Sequence, residues 1–160
     1  VSGITAKKNQ AMVSVRYVRD RPGIAAEVFS VVAEAGVVVD EIMQSRSVGL
    51  PEAISFTVAA ADLLVAAAAV RTLVKERHPD GRVEMVEGLA KLAVVGEGMR
   101  THAGVAAEVF AILGREAINI EMITTSEIKI TVGVNEEDAE RAVSALHRFF
   151  IEGQNSKKSP

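Results

Sequence analysis

The sequence contains the same segment twice, at an offset of 81 positions from Gly23 to Gly104. Residues 22–32 read PGIAAEVFSVV and residues 103–113 read AGVAAEVFAIL. The same offset carries Ile42 onto Ile123. Self-similarity at one spacing over this length indicates two copies of one structural unit. The chain of 160 residues is therefore predicted to fold as two small units, each with its own core.

Each copy opens with a strand that leads into a helix. β-rich runs at 12–18 and 92–96 predict the strands, and apolar residues at helical spacing follow both of them. Asp20 and Thr101 stand near the expected helix starts, where a side-chain oxygen can accept hydrogen bonds from free backbone N–H groups. Gly36 is expected to end the first of these helices.

Two further strands and a second helix follow in each copy. Buried strands are predicted at 37–43 and 118–124, and alternation at 54–58 and 128–134 predicts third strands, the latter with one solvated face. Second helices are predicted at 61–77 and 136–150, the latter capped by Asn135, and a last strand near 81–86. This order predicts an α+β fold of two tandem ferredoxin-like βαββαβ modules, each an antiparallel sheet with both helices on one face.

The third strands repeat at a different offset from the rest. Thr57 and Thr131 lie 74 positions apart, so the first copy carries seven more residues than the second. The extra residues fall within 44–53 and predict a longer hairpin loop. The resulting limits are 12–87 for module 1, 88–150 for module 2 and 151–160 for a polar tail that is predicted to be disordered.

Composition and motifs argue against several classes of function. The formal net charge is −3 and Trp is absent, which disfavours nucleic-acid binding. No apolar run approaches the roughly 20 residues that cross a bilayer, so a soluble, cytoplasmic chain without membrane contact is expected. The sequence has no Cys and three isolated His, so we expect no metal site. No catalytic residue is predicted, because no phosphate-binding loop occurs and the adjacent Asp40 and Glu41 would point to opposite faces of a strand.

The turns at the helix starts contain the parts of an amino-acid site. A helix N-terminus beside Gly23 or Gly104 offers bare N–H groups and a positive dipole end to a carboxylate. An ammonium group needs acceptors, and amide side chains both donate and accept. Asp20 and Glu127 supply carboxylate acceptors, and Gln44 and Asn119 supply amides. The same residues would also serve as plain caps and tight turns, so spacing alone leaves both interpretations open.

Three stretches resemble the paired ACT domains that form the regulatory half of aspartokinase. They are DRPGIA at 20–25, VGEGMRTHAGVA at 95–106 and INIEMITTSEIKI at 118–130, within a resemblance that covers about residues 1–150. The resemblance implies an allosteric module that dimerises and binds lysine, threonine or both where modules of two chains meet. It also implies that the opening strand, residues 1–6, joins the sheet of the second module.

The resemblance assigns the effector sites residue by residue. The residues implied to line them are Asp20, Ala25, Gln44, Asn119, Ile120, Ser126 and Glu127, with backbone contacts from Gly104, Val105 and Ala106. Where the family commonly has Asn in the first module, this chain has Val38, which removes an amide from one of two equivalent pockets.

The kinase chemistry is expected to lie outside this chain. No cofactor is expected in it, because ATP and Mg²⁺ would belong to a kinase domain for which the chain has neither motif nor room. The resemblance therefore implies a separate regulatory subunit or a C-terminal part of aspartokinase, the enzyme that phosphorylates aspartate for lysine, threonine and methionine biosynthesis.

Two other functions remain open from the sequence. The first is an ACT-type sensor that serves another amino-acid biosynthetic enzyme, such as one of branched-chain synthesis. The second is a small ferredoxin-like enzyme that acts on an acyl phosphate. The enzyme would need an Arg and an Asn that converge on one loop, and Arg19 and Arg21 have no Asn beside them.

Overall fold

The computed structural model describes residues 1–19, 21–47, 50–96 and 102–153. They form two compact units, which we name the first unit (residues 9–87) and the second unit (residues 1–8 with those from 88 onward). Two long strands, β1 (Gly3–Val18) and β4 (Arg82–Val95), contribute residues to both units. Asn9 and Gly88, with φ angles of 56° and 64°, are left-handed residues at the positions where these strands leave one unit for the other.

The first unit has the element order β-α-β-β-α-β. Its remaining elements are α1 (Ile24–Glu34), β2 (Ile42–Ser47), β3 (Leu50–Ala59) and α2 (Leu63–Arg77), which a 3-10 turn at Ala60–Asp62 precedes. The strands lie in the order β2-β3-β1-β4, and β3 pairs antiparallel with both of its neighbours. The predicted ferredoxin-like module is confirmed.

The core of the first unit lies between the sheet and its two helices. Val13 of β1 and Phe56 of β3 are fully buried on one face of the sheet. Val28 of α1 and Val70 of α2 are fully buried in the same cluster. The ring of Phe29 meets that of Phe56 edge to face at a centroid distance of 5.5 Å. Alternate strand residues and every third or fourth helix residue thus point into one core, as the sequence periodicities predict.

The second unit has the same architecture, but its fourth strand comes from the start of the chain. It contains α3 (His102–Arg115), β5 (Met122–Thr125), β6 (Lys129–Asn135) and α4 (Ala139–His147), followed by a π-helical turn at Arg148–Glu152. The strand order is β1-β4-β6-β5. Beside β4, the backbone N–H of Ser2 donates to the carbonyl of Val95 at 2.7 Å. The opening residues therefore occupy the sheet position that the family resemblance implies for them.

The two predicted buried strands are in fact the sheet edges, and they begin later. β2 starts at Ile42 instead of residue 37, and Val38 is 79% exposed. β5 starts at Met122 instead of residue 118, and Ile123 is 45% exposed. An apolar run shows that a segment favours extended structure, but it does not show whether a partner strand covers both of its sides.

The extra residues of the first copy lengthen strands instead of a loop. Residues 44–47 belong to β2 and residues 50–53 belong to β3, with Ser45 paired to Ala53. The predicted hairpin loop is therefore wrong, because paired strands bury the backbone polar groups that a loop of that length would leave open. The predicted strands at 81–86 and 92–96 are likewise one strand, β4.

The sheet of the second unit has no solvated face at β6. Thr131 is 2% exposed and Gly133 is buried, although the alternation predicts that both face solvent. The hydroxyl of Thr131 is the one buried side-chain oxygen or nitrogen without a hydrogen-bond partner among the described residues. A small polar residue in an alternating strand does not by itself indicate solvent.

The helix ends follow the repeat closely, whereas one predicted start is wrong. Gly36 and Ala117 are left-handed, with φ angles of 76° and 54°, after α1 and α3. In both places the N–H three residues beyond the helix reaches back five residues, from Val37 to Val32 and from Ile118 to Leu113. α1 begins at Ile24 with Gly23 as its cap and no capping side chain, so the predicted cap at Asp20 is displaced. Asp20 and Thr101 themselves lie outside the described residues.

Two further predictions concern the chain's last third. Asn135 caps the turn that leads to α4 as predicted, since its Oδ1 accepts from the N–H of Glu137 at 3.0 Å. The predicted disorder is wrong for residues 151 and 152, because Ile151 and Glu152 continue the π-helical turn. Residues 154–160 lie outside the described part. Among the described residues, no helix is both long enough and apolar enough to cross a membrane.

Candidate functional site

Three of the predicted effector residues lie at one end of the first unit. β1 ends at Val18 and α1 begins at Ile24, so the connecting turn places Gly23 and Ala25 at this end. Gln44 lies in β2, opposite Ile54 of β3, in the half of the β2–β3 hairpin that is nearer to this end of the unit. Asp20, the fourth residue assigned to this site, is outside the described residues.

The start of α1 presents free backbone donors. Gly23 adopts a left-handed conformation with φ of 93° and accepts from Glu27, which is the first helical hydrogen bond. The N–H groups of Ala25 and Ala26, in the first turn, have no carbonyl within the helix to bind. Gly23, the cap residue, has no side chain with which to cap this turn. The positive end of the helix dipole is therefore available to an anion such as a carboxylate.

Five predicted residues come together at one end of the second unit. Gly104, Val105 and Ala106 form the first turn of α3, and Ser126 and Glu127 lie in the tight turn between β5 and β6. The N–H of Ser126 donates to the carbonyl of Lys129 at 2.8 Å, which closes this turn. The N–H of Gly96 donates to the carbonyl of Ile128 at 2.9 Å, so the turn lies beside the end of β4 that leads to α3.

Asn119 and Ile120 lie at the other end of the second unit. Both precede β5, and the four residues of that strand, about 13 Å long, separate them from the turn at Ser126. Asn119 is exposed, and its Nδ2 donates to Oε1 of Glu121 at 3.1 Å. Ile120 packs partly against the core of the unit. The structure thus divides the predicted residues of the second unit into two groups, one before β5 and one after it.

The first unit has a residue that corresponds to Asn119, and it is apolar. The repeat offset places Val38 at the equivalent position, before β2, where it is 79% exposed. Both residues therefore present their side chains at the edge strand of their unit. Only the side chain in the second unit can donate and accept hydrogen bonds.

A charged cluster at the start of α1 was not predicted from the sequence. Glu27 accepts from Arg21 at 2.5 Å and from Arg77 at 3.2 Å, both through Oε1, and its Oε2 lies 3.3 Å from Nε2 of the buried His78. The hydrogen bond from Arg21 lowers the pKa of Glu27, and those from His78 and Arg77 lower it further against the opposing effect of burial. Glu27 recurs as Glu108 in the repeat, but its partners on α2 are some fifty positions away, so no local spacing signals the cluster.

The described residues offer little to a metal ion. No three carboxylate or imidazole side chains among them converge in a way that could hold one. The chemistry available at the helix starts is therefore the binding of a small charged molecule by N–H groups, amides and carboxylates.

Comparisons with known proteins agree on one family. Two family models, each described as an ACT domain, match residues 11–78 and 92–150. The aspartokinase of Helicobacter pylori is 40% identical over 150 residues, which make up 94% of this chain and 36% of that protein. The chain therefore spans only about a third of the length of such curated relatives.

Solved structures give the same result. The regulatory subunit of aspartate kinase from Thermus thermophilus, in its ligand-free form, matches with a TM-score of 0.84 and 33% identity, over 94% of this chain and 98% of that chain. Aspartokinase III of E. coli in complex with lysine and aspartate matches with a TM-score of 0.70 and 30% identity, over 92% of this chain and 32% of that one.

Proposed function

Because the chain belongs to the family of aspartokinase regulatory regions, which are built of paired ACT domains, we propose that it senses lysine, threonine or both. The observation that carries this proposal is the start of α1, where the cap residue is the left-handed Gly23 and the N–H groups of Ala25 and Ala26 have no partner among the described residues. The repeat places the similar sequence Gly104-Val105-Ala106 near the start of α3, which begins two residues earlier, at His102. Such turns attract the carboxylate that every amino acid carries.

The rest of an amino-acid ligand needs partners that lie elsewhere. Its ammonium group requires an acceptor, for which Asp20 and Glu127 are our candidates, and Gln44 and Asn119 would supply amides. In the second unit, Asn119 lies at the end opposite Glu127. We therefore propose that a site is completed by a second copy of the chain, so that the effector binds to a homodimer.

The activity that effector binding would change is that of an aspartokinase active site. Near-complete coverage of the Thermus regulatory subunit supports a separate regulatory subunit, and coverage of 36% of the Helicobacter enzyme supports a C-terminal part of a longer chain equally well. In either case the kinase domain or subunit would hold ATP and Mg²⁺ and phosphorylate aspartate. The role of this chain would be to change that activity when an effector is bound.

Calorimetric titration with lysine and with threonine, each followed by sedimentation, tests the proposal. We expect heat from at least one of them and a shift towards the dimer. Losing one hydrogen bond to a charged ligand should weaken binding about tenfold in Asn119→Ala. Lys75→Ala, on the exposed side of α2, is the matched control and should bind normally. Absence of heat and of any change in association with both amino acids would refute the proposal.

A mixing experiment tests whether two copies share each site. Asp20→Ala and Asn119→Ala should each bind poorly alone, since every site in either homodimer lacks one group. A mixed dimer has one site that carries both substitutions and one that carries neither. Mixing the two variants should therefore restore part of the binding. If the mixture binds no better than its components, each site belongs to one chain.

A further inference from the structure

A cavity in the first unit lies outside the residues assigned to the effector. It has a volume of about 350 Å³ and lies where β1 and α2 end. The side chains around it are unusually basic for a chain with a formal net charge of −3. The lining residues are Tyr17, Arg19, Arg21, Arg77, His78, Pro79 and Asp80.

Three arginines line this cavity, two from the connection between β1 and α1 and one from the end of α2. Arg19 follows β1, Arg21 precedes α1, and Arg77 is the last residue of α2. Bringing like charges together is unfavourable unless anions offset them. Among the described residues, the carboxylates at hand are Asp80 in the lining and Glu27 behind it, so the arginines outnumber them.

Glu27 positions two of the arginines without using up their donors. One oxygen, Oε1, accepts from both Arg21 and Arg77. Each guanidinium has five N–H donors, so most of them remain for another acceptor. His78, with a side chain 6% exposed, approaches the second oxygen of Glu27 and keeps that carboxylate in place. The donors are therefore held in position before any ligand arrives, which reduces the cost of ordering them on binding.

The strand that leads to the cavity is irregular at one of the lining residues. The β1–β3 register shifts between Arg16 and Val18, which makes Tyr17 a bulge residue. Tyr17 has a φ of 61°, in the left-handed region that a bulky residue rarely adopts, and is 51% exposed. Bulges redirect a side chain, and here the redirected ring and hydroxyl line the cavity.

The second unit does not repeat this arrangement. When the buried faces of α2 and α4 are aligned, Val74 corresponds to Phe150 and Arg77 corresponds to Gly153. The basic cluster is therefore not a requirement of the shared fold, because the second unit forms the same fold without it.

We propose that this cavity binds a phosphate-type dianion, either free phosphate or the terminal group of a phosphorylated metabolite. The planar guanidinium fork pairs with two oxygens at once, and arginines that approach from several directions match the tetrahedral anion. The described lining shares no residue with the proposed amino-acid site, although Asp20 of that site lies between Arg19 and Arg21 in the sequence. It does not depend on which amino acid the chain senses.

Titration with inorganic phosphate and with glycerol 3-phosphate, at constant ionic strength set with chloride, tests the proposal. Binding is followed by calorimetry and by the shift of the thermal unfolding midpoint. Tighter binding of the monoester would identify a metabolite as the source, and equal binding would identify free phosphate. Midpoints that respond no more to either anion than to chloride would overturn the proposal.

Substitutions locate the site. Arg77→Gln should weaken phosphate binding about tenfold, since a charge-assisted hydrogen bond is lost. Arg71→Gln removes the same charge from α2 away from the cavity and should bind normally; an equal loss in both variants would show general charge attraction and refute the site. Glu27→Gln leaves Arg21 and Arg77 without the carboxylate that orders them and should weaken phosphate binding. Unchanged or tighter binding in a Glu27→Gln protein of unchanged fold would contradict the positioning role of Glu27. Lysine and threonine titrations of Arg77→Gln should match the unsubstituted chain, which separates this site from the effector site.

Discussion

The two units end their first helices with the same hydrogen bonds but with different residues. Gly36 adopts the left-handed position in the first unit without strain, whereas Ala117 adopts it in the second at the energetic cost that a Cβ imposes. The first unit has a basic cluster around Glu27, and the described residues of the second unit show no such cluster around Glu108. The comparison teaches that the repeat preserves the backbone, while each unit has acquired its own departures from it.

The largest expected effect concerns a close contact in the second unit. A Cβ on Gly133 would lie 2.3 Å from Cγ of Met122, whereas the related Ala59 of the first unit is exposed. Gly133→Ala should lower the free energy of unfolding by about 1–3 kcal/mol through overpacking. Urea denaturation measures the loss. In a double-mutant cycle, Gly133→Ala should cost much less stability when Met122→Ala is already present. Simple additivity of the two losses would show that Met122 is not the obstacle.

The helix ends provide a reciprocal test. Gly36→Ala should destabilise the chain by about 1 kcal/mol, and Ala117→Gly should stabilise it by up to about 1 kcal/mol, because only glycine adopts this conformation freely. Ala111→Gly, at an exposed position within α3, should instead destabilise by about 1 kcal/mol. Thermal unfolding under identical conditions compares all three. Equal effects of glycine at 111 and 117 would mean that the left-handed residue carries no strain.

Thr57 and Thr131, which occupy equivalent positions in the two units, should respond to substitution by valine in opposite ways. Oγ1 of Thr57 accepts from the N–H of Glu41 at 3.0 Å, whereas the hydroxyl of Thr131 is buried without a described partner. Thr57→Val should cost about 1 kcal/mol or more, and Thr131→Val should be neutral or stabilising. Chemical denaturation of both variants decides the matter, and a comparable loss in each would reveal a partner for Thr131.

The smallest effect is the pH dependence of the Glu27 cluster. Since its arginine partners lower the pKa of Glu27 in the folded chain, the folded state binds fewer protons there than the unfolded state. This contribution to stability is present above the ordinary carboxyl pKa of 4.5 and is lost as the pH falls through the lowered value. The stability difference between the unsubstituted chain and Glu27→Gln should therefore shrink below that pH. A difference that stays constant down to pH 3 would contradict the assignment.

A matched substitution separates the cluster from the mere removal of a carboxylate. Glu108 has the repeat-related position in α3, and the described residues offer it no ion pair. Glu108→Gln should leave the unfolding midpoint nearly unchanged at neutral pH, where Glu27→Gln lowers it. If both variants lose the same stability, the ion pairs of Glu27 contribute nothing specific.

Much of the fold is predictable because the repeat and the periodicity act together. The order of elements, Gly36 as a helix end and Asn135 as a cap all depend on neighbours within a few residues. The exposure of Val38 and Ile123 and the burial of Thr131 depend on which strands lie alongside. Such information is distributed over the whole sheet, so alternation within one strand cannot supply it.

The candidate site is predictable to a smaller extent, for a similar reason. Gly23 and Gly104 are visible because helix starts have local signals. The separation of Asn119 from Ser126 along β5 became clear only from the strand bounds. The contacts of Glu27 with Arg77 and His78 join α1 to the end of α2, and no motif within either helix reports them.

The origin of the second unit's fourth strand has a consequence for the order of events during synthesis. Residues 1–8 leave the ribosome before the first unit, but the part of β4 that belongs to the second unit, residues 88–95, is made only after the whole first unit. The first unit can therefore fold before the second unit has been made. During that time residues 1–8 have no partner strand in the second unit and leave a strand edge unpaired. Contacts between such distant residues are slow to form. The second unit should consequently be the later and slower of the two to become protected against hydrogen exchange.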